Sequence, residues 1–185
     1  MVMYSKIANT LIVIERGLLT TYSLDDRKSW TVGRVSGTNQ PDIALNTPTV
    51  SRHHGQFRKM NGIWFYLDHN GKNGTVYNSR HLEPGIKGRE KPVILSEGDI
   101  LIFGGGKEAV VHRKTVWSMF VTRVFDGGFK RLDTGSFSSI EIRDGEDVTR
   151  YTDPDKGTAV IKKNGVAIYM GGYAYISGDL RMTGQ

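Results

Sequence analysis

The chain has 185 residues, 38% of them hydrophobic, which is enough for one domain of ordinary size and a small additional unit. It has no cysteine, so disulfides, thiolate zinc sites and cysteine nucleophiles are excluded. The net charge is +6, but basic and acidic residues are interspersed, which favours solvated surface charge over a nucleic-acid partner.

The sequence gives no sign of membrane contact. No apolar run reaches the roughly 18 residues that a membrane helix needs. The segment 6–15 is too short and too polar for a signal peptide. We therefore expect a cytoplasmic protein without a membrane partner.

Strand signals dominate the first 112 residues. Short runs rich in Val, Ile, Thr and Tyr alternate with turn signals, and no segment keeps the apolar period of a helix. Strands are predicted at 10–15, 20–24, 29–32, 42–45, 54–60, 63–68, 75–78, 93–95, 100–103 and 109–112. About ten to eleven short strands predict an all-β sandwich of two sheets.

The loop between the strands at 63–68 and 75–78 contains two Asn-Gly-like turn signals within six positions. Such signals favour a backbone with positive φ, which glycine adopts without steric cost. We therefore expect positive φ at Gly71 or Gly74, and a tight, rigid loop.

The pattern of strand and turn signals changes from residue 115 onward. A long strand is predicted at 117–125, and Asp144-Gly145 indicates a hairpin. A seven-residue rhythm at 165–171, 172–178 and 179–185 predicts a small meander, with a β-solenoid as the alternative. Both faces of 166–176 are apolar, so this stretch should pack on the first unit or on another chain.

The predicted organisation has three parts: a lead-in at 1–9, a sandwich domain at 10–114 and a β-rich extension at 115–185. The role of the extension does not follow from its sequence. Its apolar character makes self-association through residues 158–185 one possibility.

Four separated pieces in the first part combine the side chains that recognise a phosphate. An arginine offers a planar fork of donors, a serine hydroxyl can donate to a phosphate oxygen, and an asparagine amide can bind a peptide backbone. A phosphorylated side chain is therefore the expected ligand. The pieces are Gly33-Arg34, Ser51-Arg52-His53-His54, Asn73-Gly74-Thr75 with Asn78, and Gly98-Asp99-Ile100 with Phe103-Gly104.

In order and spacing these pieces resemble a forkhead-associated (FHA) domain, a β-sandwich that binds phosphothreonine peptides, over residues 10–112. The resemblance implies that Arg34 and Ser51 hold the phosphate and that Arg52 flanks it. It also implies that Asn73 hydrogen-bonds the peptide backbone beside the phosphothreonine. Phosphopeptide binding is thus the expected function.

The resemblance assigns the remaining residues to the framework of the site. His54 is similar to a buried histidine that braces the loop. Gly33, Gly74 and Thr75 would set the loop geometry, and Asn78 would be structural, as would Asp99.

The chain departs from the family pattern beside Asn73. Gly71 and Lys72 stand where the family commonly has small hydroxyl residues. The Lys72 ammonium could replace a lost phosphate contact or could extend into solvent, and the sequence leaves both alternatives open.

Enzymatic activity is not expected. Serine-hydrolase, zinc-protease and P-loop motifs are absent, and the acidic stretch 153–158 reads as a polar turn. We expect no metal at His53, His54, His69 and Asp68, because neighbours in a strand point to opposite sides. No cofactor is implied.

The expected partner is a phosphothreonine-containing protein, either a substrate of a Ser/Thr kinase or the kinase itself. The alternative is a structural or assembly role, in which the FHA-like domain is a scaffold and the C-terminal meander joins subunits.

Overall fold

The computed structural model describes residues 5–83, 91–105, 115–154, 157–170 and 172–185. These residues form strands and one 3-10 turn, Leu24–Asp26, which confirms the all-β prediction. No helix among them is long and apolar enough to cross a membrane. The strands are β1 Ser5–Glu15, β2 Leu18–Ser23, β3 Ser29–Arg34, β4 Ile43–Leu45, β5 Gly55–Met60, β6 Ile63–Asp68, β7 Thr75–Tyr77, β8 Arg80–His81, β9 Val93–Ile94, β10 Ile100–Phe103, β11 Val116–Phe125, β12 Lys130–Gly135, β13 Ser139–Asp144, β14 Asp147–Thr152, β15 Thr158–Lys162, β16 Gly165–Met170, β17 Gly172–Gly178 and β18 Arg181–Gly184.

The chain divides into two compact units. The N-terminal unit is residues 8–122, and the C-terminal unit is residues 123–185 with residues 1–7. The boundary lies later than the predicted 114/115, because Val116 and Phe120 of β11 belong to the core of the N-terminal unit. The predicted lead-in at 1–9 also differs, since β1 already begins at Ser5.

The N-terminal unit is a sandwich of two sheets. One has the strand order β2-β1-β11-β10-β7-β8, and the other β4-β3-β5-β6-β9. Alternating residues of β3, β5 and β6 point inward, and Trp30, Phe57 and Tyr66 are aligned across the three strands. These residues share one buried cluster with Leu101 and Phe103 of the other sheet. The loops at one end of this core carry the candidate site.

Most predicted strands of this unit are present. Those at 63–68 and 100–103 match from end to end, and the one at 109–112 lies outside the described residues. Strand β8 was not predicted. It follows Asn78 and Ser79, which both have positive φ and turn the chain back within two residues.

The C-terminal unit contains a four-stranded sheet, β12-β17-β16-β15, and a three-stranded sheet, β14-β13-β18. The predicted hairpin at Gly145 joins β13 to β14. The first two repeats of the predicted meander form β16 and β17, which pair with each other, but the third repeat forms β18, which pairs with β13. Gly178 has a φ of 83°, and the N–H of Asp179 donates to the carbonyl of Asn164, so the chain turns away from β16 there.

Candidate functional site

The backbone N–H and the side-chain Nε of Arg34 are hydrogen-bonded, whereas its two Nη groups have no partner within the described residues. It is the last residue of β3, and its N–H donates to the Ser51 carbonyl at 3.1 Å. Its Nε donates to the Val50 carbonyl at 2.9 Å. No contact within the described part of the chain occupies its two Nη groups, which are the donors that form a fork toward an anion.

Gly33 allows this arrangement by having no side chain. A Cβ built on Gly33 would lie 1.9 Å from the Arg52 carbonyl oxygen and 3.2 Å from that of Ser51. The backbone that carries Ser51 therefore crosses directly over Gly33. Glycine is required here because of close approach, as the resemblance implied.

The Ser51 hydroxyl is held in place as an acceptor and keeps its proton for a ligand. Its Oγ accepts the backbone N–H of Lys72 at 3.2 Å. The N–H of Ser51 donates to Nδ1 of His54 at 3.0 Å. A hydroxyl can accept and donate at the same time, so Ser51 can donate to a phosphate oxygen in this position.

His54 is fully buried and joins the two loops that hold Ser51 and Asn73. Because its Nδ1 accepts from Ser51, the ring proton lies on Nε2, which faces the Gly74 carbonyl at 3.1 Å and Thr75 Oγ1 at 2.9 Å. Burial lowers the pKa of His54, and the charge of Asp68 opposes this shift. The imidazole is therefore neutral and acts as a brace.

Thr75, the partner of His54, belongs to a small polar network with Tyr66 and Asp68. Thr75 Oγ1 donates to the Asp68 carboxylate at 2.6 Å, and the Tyr66 hydroxyl donates to the same oxygen at 2.8 Å. Burial raises the pKa of Tyr66 far above its usual value. These bonds fix Thr75 and leave His54 a single orientation.

Asn73 connects the 69–74 loop to the segment that precedes Ser51. Its Nδ2 donates to the Thr49 carbonyl at 3.0 Å, which leaves the second amide hydrogen and Oδ1 for other partners. The loop closes by a bond from the N–H of Gly74 to the Gly71 carbonyl at 3.0 Å. Gly74 has the expected positive φ of 72°, while the second positive φ falls on Asn70 at 57°.

Gly71 and Lys72, the two positions at which the chain departs from the family pattern, both lie next to Ser51. A Cβ on Gly71 would lie 2.7 Å from Ser51 Oγ and 3.0 Å from His54 Nδ1, so a larger residue does not fit without moving Ser51. The side chain of Lys72 is exposed, while its backbone N–H binds Ser51. Lys72 thus contributes to the site through its backbone, and both alternatives for its ammonium group stay predictions.

Asn78 and Asp99 form a hydrogen-bonded framework with Tyr77, Ser96 and Ile100. Asp99 accepts hydrogen bonds from Asn78 Nδ2 at 3.0 Å, the Tyr77 hydroxyl at 2.7 Å and the N–H of Ser96 at 2.9 Å. Asn78 Oδ1 accepts the N–H of Ile100 at 2.8 Å. Asn78 and Asp99 thus bind each other and the neighbouring backbone, which is the geometry of a structural pair.

Two residues that support the site were not predicted. Asn39 Nδ2 donates to the carbonyls of Arg34 and Arg52, both at 3.0 Å, and so ties a third loop to the site. The Glu15 carboxylate accepts the N–H and the hydroxyl of Thr47. Asn39 lies in a Gly-Thr-Asn turn signal, whereas nothing in the sequence near Glu15 indicates its long-range role.

The neighbouring residues His53 and His54 have different surroundings. His54 uses both ring nitrogens in the brace, and His53 is exposed. The described residues contain no group of three His, Cys, Asp or Glu side chains that could hold a metal ion.

Comparison with known proteins supports the fold. Residues 30–104 match the FHA domain family model. The structure of full-length yeast Pml1p is 22% identical, with a TM-score of 0.51 over 64% of this chain and 83% of that one.

Two further similar structures are FHA domains. That of CT664 from Chlamydia trachomatis is 22% identical, with a TM-score of 0.46 over 62% of this chain and 96% of that one. The FHA1 domain of yeast Rad53 is 22% identical, with a TM-score of 0.46 over 63% of this chain and 77% of that one. The comparison with curated proteins finds no match. The match to the FHA domain family model thus spans the residues that carry Arg34, Ser51, His54 and Asn73.

Proposed function

We propose that the N-terminal unit is a non-catalytic module that binds a phosphothreonine on a partner protein. The observation that carries the proposal is the convergence of two loops on the segment 49–52. This segment is hydrogen-bonded by Arg34 at Val50, and by Lys72 and Asn73 of the 69–74 loop at Ser51 and Thr49. Donors from both loops are thereby held beside the Ser51 hydroxyl, as a phosphate with several acceptor oxygens requires.

Each residue has a defined role in this proposal. The free Nη groups of Arg34 and the hydroxyl of Ser51 donate to phosphate oxygens, and Arg52 adds charge beside them. The remaining amide atoms of Asn73 bind the peptide backbone next to the phosphothreonine. Lys72 contributes a point charge at the rim.

The proposed partner is a protein phosphorylated by a Ser/Thr kinase, or the kinase itself. The module would act in signalling or in regulated assembly of a complex, in the cytoplasm. FHA domains are binding modules, and the proposal includes no chemical step.

Calorimetry with a phosphothreonine peptide library tests the proposal. We expect affinity in roughly the micromolar range, and a loss of about tenfold to a hundredfold for Arg34→Ala, because charge-assisted hydrogen bonds contribute about 1.5–3 kcal/mol. Arg58→Ala, an exposed arginine on β5 outside the site, is the matched control and should bind like the wild type.

Two results would contradict the proposal. The wild type could ignore every phosphopeptide in the library. Alternatively, Arg34→Ala, shown by circular dichroism to be folded, could bind as tightly as Arg58→Ala.

A further inference from the structure

The three loops around the site contain one acidic residue, Asp42, which directly precedes β4. Residues 34–41, 46–54 and 69–74 include neither Asp nor Glu, although the chain has 19 of them. The same loops carry Arg34, Arg52 and Lys72, of which Arg52 and Lys72 are exposed. His53, also exposed, lies beside Arg52. Every formal charge within residues 34–41, 46–54 and 69–74 is therefore positive.

Three carboxylates next to the site, Glu15, Asp42 and Asp68, each have partners other than the loop cations. Glu15 binds the backbone and side chain of Thr47. Asp68 accepts from Tyr66 and Thr75 inside the polar network. Asp42 pairs with Arg27 at 2.7 Å and accepts the N–H of Thr31. Within the described residues, none of these three acids forms an ion pair with Arg34, Arg52 or Lys72.

We infer that the ligand of this site is an acidic segment, a phosphothreonine flanked by Asp or Glu residues. The inference rests on the proposed function and narrows its substrate class. A single phosphate satisfies Arg34 and Ser51, but the exposed cations Arg52 and Lys72 can attract further negative charge at either side. A segment with lysines at those positions is repelled by the same cations.

Three phosphothreonine peptides of one length, with Glu, Gln or Lys on both sides of the phosphothreonine, test the inference by fluorescence anisotropy on the full chain. We expect the Glu peptide to bind about fivefold to tenfold tighter than the Gln peptide, since each exposed ion pair contributes up to about 1 kcal/mol. The Lys peptide should bind weakest. The differences should shrink in 0.5 M salt, which screens exposed charges.

A charge inserted into the loops provides a second test without changing a residue assigned to the ligand. Gln40→Glu adds a carboxylate to the exposed part of the 34–41 loop and should reduce the preference for the Glu peptide over the Gln peptide. Asn61→Asp is the matched control. It adds the same charge in the turn between β5 and β6, at the end of these strands away from His54, and should leave the preference unchanged.

The outcomes separate the two proposals. Equal binding of all three phosphopeptides overturns the inference and leaves the proposed function standing. Failure of all three to bind, with the library also negative, overturns the proposed function. Equal binding of the unphosphorylated Glu peptide, or of a single-stranded RNA of equal charge, overturns the inference because the attraction would then be for polyanions in general.

Discussion

Gly33 shows how a single missing side chain can define this site. Because its Cβ would lie 1.9 Å from the Arg52 carbonyl oxygen, Gly33→Ala forces the 49–52 segment away from β3. We expect a loss of about 1–3 kcal/mol in the free energy of unfolding, the usual range for overpacking. Phosphopeptide affinity should fall as well, since Arg34 and Ser51 would separate.

Urea unfolding and calorimetry measure these two effects. Gly37→Ala, in the loop that follows β3, is the comparator, because a Cβ there meets nothing within 4 Å and only the positive φ of 53° is strained. If Gly33→Ala binds phosphopeptide as well as Gly37→Ala, the close approach has no functional consequence.

The site at Gly71 gives a prediction opposite to the family pattern. A hydroxyl residue is common there in the family, yet Ser51 Oγ already lies 2.7 Å from a Cβ at this position. Gly71→Ser should therefore weaken phosphopeptide binding by displacing Ser51, and Gly71→Ala should weaken it equally. Calorimetry distinguishes a steric effect on Ser51 from the loss of a hydroxyl contact. Tighter binding by the serine variant alone would show that the missing hydroxyl is a lost phosphate contact.

His54 should make the stability of the chain depend on pH. Burial lowers its pKa in the folded state from the ordinary 6.5, so the unfolded chain binds the proton more readily. The contribution of the neutral imidazole to the free energy of unfolding is fully present above about pH 6.5. It decreases as the pH falls from there to the pKa of His54 in the folded state. Protonation of Nδ1 would also remove the acceptor for Ser51.

Urea unfolding between pH 7.5 and pH 5 tests this dependence. His54→Gln should be less stable at pH 7.5 but should lose less stability on acidification. His53→Gln, on the exposed neighbour, should keep the dependence of the wild type. An identical slope for the wild type and His54→Gln would assign the dependence to other groups.

At the scale of elements, the sequence predicted the strands whose inner faces are continuous. Strand β6 has Trp64 and Tyr66 buried and its other residues partly or fully exposed, and turn residues bound it on both sides. Strand β8 has two exposed residues and no inner face, so no hydrophobic pattern could predict it. The turn that leads β18 to β13 depends on the positive φ of Gly178 and on the hydrogen bond from Asp179 to the Asn164 carbonyl. Asp179 and Asn164 are distant in sequence.

Strands β7 and β10 are joined by a framework that can be tested through Asp99. Burial and the hydrogen bond to Asp99 raise the pKa of Tyr77 to about 12. Asp99→Asn removes the charge, so the pKa of Tyr77 should fall toward its ordinary value of 10.0. The variant should also lose roughly 1–3 kcal/mol of stability, because donors from Tyr77, Asn78 and Ser96 lose a charged acceptor.

Absorbance titration of the tyrosines and urea unfolding give the two readouts. Asp26→Asn, on an exposed acid of the 3-10 turn, is the matched control and should change neither. An unchanged tyrosine titration in Asp99→Asn would mean that burial alone determines the pKa of Tyr77.

For the whole molecule, the sequence predicted two units but not their limits. The site residues could be found because they are loop residues with distinctive chemistry in a fixed order. The contacts of Glu15 and Asn39 could not, since each depends on which loops the folded sheets bring together. The unit boundary depends on β11, whose first part completes the sandwich core while its last residues belong to the C-terminal unit.

The two apolar faces of 166–176 make self-association through residues 158–185 one possibility. All residues of β16 are buried within a single chain, so neither of its faces is left for a second copy. The edge strand β12 carries exposed Lys130 and Asp133 and a register shift between Asp133 and Gly135. Charges and bulges on an edge oppose pairing with another chain.

We therefore expect light scattering of the full chain to give the mass of one copy, 20.6 kDa, across a wide concentration range. The double variant Lys130→Val with Asp133→Val removes two of the three charges of β12, leaving Arg131, and should associate more at high concentration. Lys28→Val with Asp26→Val, which removes two exposed charges outside the sheet edges, controls for added hydrophobicity. A wild-type mass of two copies would mean that the charged edge does not prevent pairing, and would favour an assembly role for the C-terminal unit.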